Sequence, residues 1–331
     1  MIKYSNPNDQ TDELLENSNN LESSTGKNFP IINGIPRFVE YSDYGQEQTS
    51  DSFGYKWNKF SDWGIEENTM AASDEHWKDF YGWPNHDELK NLMKGKTVLD
   101  AGCGSGSSLV KFIDWPSHIV GVDISTAIDA CKNNFPDRNN LQLVQADLFN
   151  LPFKDESFDV IWSAGVLHHT PNTFDALKSV YKHLKKGGNI LFYIYLKKAP
   201  IREYTDDYLR NELANMSKEE AWTSMEKLTR FSKSLSESNA MITLEEDYPE
   251  LGFKKGEHKL QRFIYYTMMK CYWNPSISFE HNVVVNFDWY HPQYAHRQTP
   301  EEVKSWMKIL NMKEKHFHVS DAGIFVVGEK V

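Results

Sequence analysis

Between Thr97 and Tyr195, short apolar runs alternate with amphipathic stretches, and this alternation is the strongest structural signal in the 331-residue chain. TVLDAG (97–102), IVGVDI (119–124), LQLVQAD (141–147), FDVIWSAG (158–165) and NILFYIY (189–195) are short and rich in β-branched and aromatic residues. Each predicts a strand. Between them, apolar positions at helical spacing predict helices over 107–115, 127–134 and 173–185. Strands alternating with helices pair in parallel, so the fold class is α/β with a doubly wound sheet.

The flanks read differently. Residues 5–28 are polar, rich in Asn, Ser, Asp and Glu, and predict a loose N-terminal arm. FPIINGIPRFVE (29–40) predicts two extended pieces around Asn33, Gly34 and Pro36, and SFGYKWNKF (52–60) has no clear period. Asn85 with Glu88 predicts a helix start, and Gly95 its end. After Tyr195 the alternation lapses. Ser217 with Glu220 forms a capping-box pattern for a long helix, and HKLQRFIYYTMMKCYW (258–273) has helical spacing. Thr299, Pro300 and Glu302 open another helix that ends near Asn311. MKEKHFHVS and GIFVVGEKV then predict a closing antiparallel hairpin turned at 321–323.

Charge narrows the partners. The chain has 36 Lys and Arg against 47 Asp and Glu, and residues 1–90 alone hold 7 basic and 17 acidic residues. Affinity for nucleic acid rests on basic groups that displace phosphate counterions, so nucleic acid is not an expected partner. No apolar run approaches the ~20 residues that span a bilayer. The polar start MIKYSNPNDQ has no signal-peptide core, so a cytoplasmic protein without membrane partners is expected. Cys103, Cys131 and Cys271 are odd in number and far apart, which argues against disulfides and against a cysteine metal site. No metal is expected.

Candidate chemistry concentrates in VLDAGCGSG (98–106), where a strand runs into a helix through Gly102, Gly104 and Gly106. Such a loop serves as a plain tight turn in many α/β proteins, but its surroundings point further. A nicotinamide loop reads GxGxxG, whereas the spacing here is GxGxG with an acid, Asp100, two residues before the first glycine. A carboxylate there repels a pyrophosphate and attracts a cation. S-adenosylmethionine carries an ammonium, a sulfonium and no phosphate. Asp123 ends the second strand, where a carboxylate can accept both ribose hydroxyls. Asp147 ends the third and can accept from an adenine amino group, with Leu148 or Ile124 packing on the ring. A nicotinamide-dependent oxidoreductase, or a cofactor-binding protein without turnover, remains as an alternative.

Four segments in order, VLDAGCGSG, VGVDIS, QADLFNLPFKDESFDVIWSAGVLHH and LKKGGNILFYIY, resemble the class I S-adenosylmethionine-dependent methyltransferases, in particular the type 11 group, over residues 97–196. The resemblance implies a Rossmann-like, mostly parallel seven-stranded sheet with one reversed strand. It also implies that Gly102, Gly104 and Gly106 pack on the methionine part of the cofactor, that Asp123 holds the ribose and that Asp147 with Leu148 lies at the adenine. Residues 29–40 resemble the end of a zinc-ribbon module that precedes some of these enzymes. That module needs four cysteines and this chain has none before Cys103, so a metal-free remnant is expected. The division that follows is an N-terminal arm and aromatic cap (1–84), a cofactor-binding α/β core (85–196), a helical lid or substrate insertion (197–287) and a return to the core (288–331).

Methyl transfer from a sulfonium is an in-line displacement, so alignment and water exclusion matter most, and a base is needed only for a weak nucleophile. His168, after the fourth strand, is one candidate, either catalytic or merely capping its loop. DWYHPQYAHR (288–297) supplies His291 and His296 as further catalytic candidates, and Tyr290, Tyr294 and Arg297 as acceptor contacts, unless it is simply a packed loop. Tyr55 and Trp57 are expected to fold over the cofactor cleft, Trp57 against the cofactor and Tyr55 against the acceptor. The fourth strand ends in SAGV rather than in the Asn/Asp-Pro-Pro-aromatic signature of base-amino methylation, and the insertion suits an enclosed ligand. A small-molecule acceptor is therefore expected, with the receiving atom and the oligomeric state left open.

Overall fold

Strands buried on both faces read as nearly continuous apolar runs, and the predicted runs form five adjacent strands of one sheet. The computed structural model describes residues 1–17, 19–65, 81–83, 86–136 and 138–331. Its seven-stranded sheet comprises β1 (Thr97–Ala101), β2 (His118–Asp123), β3 (Leu141–Gln145), β4 (Phe158–Ala164), β5 (Leu184–Tyr195), β6 (Met312–Val319) and β7 (Gly323–Lys330), in the order β6-β7-β5-β4-β1-β2-β3. The first five are parallel, and β7 runs antiparallel to both β5 and β6. Alternate residues feed two buried clusters: Leu99 and Ala101 of β1 join one, Val98 the other. Because the chain winds outward in both directions from β1, the strand order reverses between β1 and β4, and open parallel sheets bind ligands outside the carboxyl ends at such a point.

The helices are α1 (Tyr44–Lys59), α2 (His86–Met93), α3 (Ala127–Asn134), α4 (Thr173–Lys182), α5 (Pro200–Leu213), α6 (Lys218–Glu237), α7 (Leu260–Thr267), α8 (Phe279–Tyr290) and α9 (Pro300–Ile309). Both predicted capping boxes form: Ser217 with Glu220 opens α6, and Thr299 with Glu302 opens α9. The chain divides into two compact units, residues 1–196 with 298–331, and residues 197–297. The second holds α5 to α8 and a two-stranded pair, Met241–Leu244 with Gly256–Lys259. Among the described residues no helix is long and apolar enough to cross a membrane.

Several expectations are corrected. Residues 5–28 are not a loose arm: Ser5–Asn6 pairs with Asp9–Glu13, and Leu15–Asn17, Asn20–Glu22, Asn28–Ile32 and Ile35–Pro36 form a four-stranded sheet. A few well-spaced apolar anchors, Leu14, Leu21, Phe29 and Ile35, are buried, so mean polarity hides a real core. Asn33 and Gly34, both in the left-handed region, make the tight turn between the last two strands. Arg37 ties the module to the core, with Nη2 2.6 Å from Asp129 and Nη1 donating to Gln145. The helix expected over 107–115 is a single 3₁₀ turn, Leu109–Lys111. It starts on Gly106, Ser107 and Ser108, weak helix formers, and Pro116 disfavours helix at Trp115. The 173–185 helix stops at Lys182, and β5 begins at Leu184, ahead of the run read as a strand. Over 258–273 only Leu260–Thr267 is helical, since Glu257 to Lys259 pair with 241–243. The aperiodic 52–60 segment belongs to α1 up to Lys59, and Phe60 is the C-cap of that helix. Asn85, the expected cap of α2, lies outside the described residues.

Candidate active site

The carboxyl ends of β1, β2 and β3 bring Asp100, Asp123 and Asp147 to one edge of the sheet. Asp100 is 1% exposed, and its Oδ2 has no hydrogen-bond partner among the described residues. Burial, with a smaller contribution from Asp123, pushes its carboxyl up to about 8. The loop that follows turns back on β2: the Gly102 and Cys103 N–H groups both donate to the Val122 carbonyl. Gly102, Gly104 and Gly106 all have positive φ. At Gly104 (φ +54°) a Cβ would also lie 3.1 Å from the Trp57 indole nitrogen, so glycine lets that ring sit against the loop.

Asp123 is already engaged. Its Oδ2 accepts from the Gly104 N–H (2.9 Å), and its Oδ1 from the Ser125 N–H (2.8 Å) and hydroxyl (2.6 Å). Burial raises its carboxyl pKa, while these bonds and Lys56 pull the other way. Asp147, also raised chiefly by burial, accepts from the Phe149 N–H (3.1 Å) and from Gln46 Nε2 (2.9 Å). Leu148 is buried in the main core cluster and Ile124 is half-buried.

Helix α1 packs against the same edge. Gln46 meets Asp147, Phe53 packs edge-on to His169 with ring centroids 4.7 Å apart, and Asn58 donates to Thr126. Lys56 is 4% exposed, with its ammonium 3.6 Å over the Trp57 ring and within electrostatic reach of Asp123. Tyr55 is half-buried beside Lys59. Gln46 and Lys56 had no sequence signal as site residues. The Asp43 cap, which accepts from the Gln46 N–H, was the one available sign of the helix.

After β4, His168 and His169 sit in a 3₁₀ turn, both buried. The His168 ring lies 3.7 Å from Tyr195 and 4.3 Å from His169. In the helical unit, Tyr290 is buried and its hydroxyl donates to Asp206 (2.6 Å), His291 stacks on Phe287 (4.6 Å), and Tyr294 stacks with His296 (5.8 Å). Arg297 donates to Glu203 (2.9 Å), to Asp207 (2.7 Å) and to the Ala295 carbonyl. Asp288 to Tyr290 close α8 rather than opening a loop.

Residues 99–192 match the family described as a methyltransferase domain. A phthiotriol/phenolphthiotriol dimycocerosates methyltransferase of Mycobacterium ulcerans is 30% identical over 171 residues, 49% of this chain and 62% of that protein. A tRNA U34 carboxymethyltransferase of Shewanella sediminis is 33% identical over 142 residues, 41% of each chain. A solved S-adenosylmethionine-dependent methyltransferase from Mesorhizobium loti aligns over 75% of this chain and 96% of its own, with 16% identity and a TM-score of 0.44. The chain thus spans 41–62% of the length of these two curated relatives. The family match covers the glycine loop and all three acids, Asp100, Asp123 and Asp147, so residues 99–192 are similar to a methyltransferase domain.

Proposed function

We propose that the chain is a methyltransferase that moves a methyl group from S-adenosylmethionine to a small-molecule acceptor. The observation that carries this reading is Asp100, a buried carboxylate with a vacant acceptor atom beside the glycine loop. It suits a ligand that brings a cation rather than a phosphate, so the donor set fits the cofactor. S-adenosylmethionine supplies, when bound, a methyl group on a sulfonium sulfur. Asp100 accepts from its ammonium. Asp123 holds the ribose, using acceptor capacity beyond its three present bonds or in place of one. Asp147 with Ile124 or Leu148 serves the adenine, and Trp57 covers the glycine loop.

His168 is our candidate for orienting the acceptor or taking its proton. For the residues of the helical unit the local bonding supports a holding role first: the Tyr290 hydroxyl and the Arg297 guanidinium are committed to carboxylates of that unit. His291, His296 and Tyr294 are secondary catalytic and acceptor candidates, as is Tyr55.

The net charge of −11 favours a small acceptor over RNA. One relative's name specifies tRNA, so the test has two arms: methyl-labelled cofactor with a metabolite extract, and with total RNA. Label in a small molecule supports the proposal. Label in RNA overturns the acceptor class, and label in neither overturns turnover on a free acceptor.

A further inference from the structure

The helical unit buries two cations, one of them paired with Asp206, whose donors its own acids do not exhaust. Asp206 of α5 is 1% exposed and accepts four hydrogen bonds. Oδ1 takes the Tyr290 hydroxyl (2.6 Å) and the Lys270 backbone N–H (2.9 Å), and Oδ2 takes the Trp289 indole N–H (2.8 Å) and Arg202 Nε (3.1 Å). Four donors fill the capacity of a carboxylate. Arg202, also 1% exposed, is left with a buried Nη1 that has no hydrogen-bond partner among the described residues. Lys270 is 7% exposed, and among the described residues its ammonium makes no hydrogen bond or ion pair.

Both cations lean instead on one aromatic wall. The Arg202 guanidinium lies 5.3 Å from the Trp289 ring centroid and 4.7 Å from that of Tyr265, and the Lys270 ammonium lies 4.4 Å from Trp289. Cation–π contact offsets part of the desolvation but supplies no acceptor for the remaining N–H groups. Burial and then Arg202 push the Lys270 ammonium down to about 7, Asp288 and Asp206 work against that, and Lys198 adds to it. Packing alone does not require a charge here, since a methionine fills a similar volume without the penalty. A buried cationic pair with vacant donors is what an anion-binding pocket needs before its ligand arrives.

We propose that Arg202 and Lys270 form an anion subsite in the helical unit, which takes the carboxylate or phosphate group of a small ligand. Arg202 supplies Nη1 as a fixed donor, and Lys270 supplies charge. The subsite lies wholly within residues 197–297 and does not depend on the methyl-transfer reading.

The test uses the full chain at pH 6.5, where Lys270 is mostly charged, and follows thermal unfolding against inorganic phosphate and against succinate at ionic strength held constant with chloride. A saturable rise in Tm with phosphate alone assigns a phosphate group, and with succinate alone a carboxylate; either supports the subsite. Lys270→Met is expected to unfold at or above the wild-type temperature without anion, while its half-saturating anion concentration rises at least tenfold. Arg202→Met should weaken the anion response in the same direction. No saturable response to either anion, or an unchanged half-saturation in Lys270→Met, overturns the proposal. So does a Lys270→Met protein that is less stable without anion, because the ammonium would then be part of the packing.

Discussion

Asp100 gives the cofactor edge a pH signature. Its carboxyl is held at about 8 in the folded chain, first by burial and second by Asp123, against an ordinary value of 3.8. Between those values the folded state binds a proton that the unfolded state has lost, so its contribution to stability falls as pH rises through that window. Asp100→Asn should remove this slope, which denaturant titration at several pH values will show. Cofactor binding has the opposite sign. A ligand ammonium pairs with the ionised form, so affinity should climb as pH approaches 8 and flatten in Asp100→Asn; a pH-independent affinity in the wild type would put the ammonium elsewhere. Asp123→Ala should weaken cofactor binding by roughly 1.5–3 kcal/mol, the cost of losing a charged hydrogen-bond acceptor in a partly buried site. Calorimetry reads that difference directly.

Helix α1 shows where reading by hydrophobic period stops working. Its buried positions include Gln46, Thr49, Ser50, Gly54 and Lys56, so the face it turns inward is polar, and a search for apolar period finds nothing. Its partners explain the composition: a site edge lined by acids takes polar contacts from the element that covers it. Amides of 44–59 should therefore gain hydrogen-exchange protection when S-adenosylmethionine is added, and unchanged protection would place α1 outside the site. Helices with explicit end chemistry were easier. Thr299 and Glu302 marked the start of α9, and its box forms with bonds of 2.7 and 3.2 Å. Thr299→Ala should cost about 1 kcal/mol of stability in chemical denaturation and leave cofactor affinity alone. The 107–115 stretch misled in the other direction, because apolar spacing was present while Gly106 to Ser108 could not nucleate a full helix turn.

For the whole chain, the α/β sheet was legible because strands buried on both faces leave long apolar runs, and the reversed β7 because its hairpin turn is marked by Asp321 to Gly323. Asp100, Asp123 and Asp147 were legible because strand ends are fixed points of such a sheet. That Gln46 and Lys56 would meet this edge was not, since they reach it only through tertiary packing. The burial of Arg202 and Lys270 beside a saturated Asp206 was equally hidden, because no local pattern reports how many donors one carboxylate receives. The central claim is that the three acids and the glycine loop select S-adenosylmethionine, and a calorimetric titration of the full chain with S-adenosylmethionine, its demethylated product and NAD tests it most directly. The account predicts micromolar binding of the first two, weakened in Asp123→Ala, with NAD weaker than both; tighter binding of NAD than of either would contradict it.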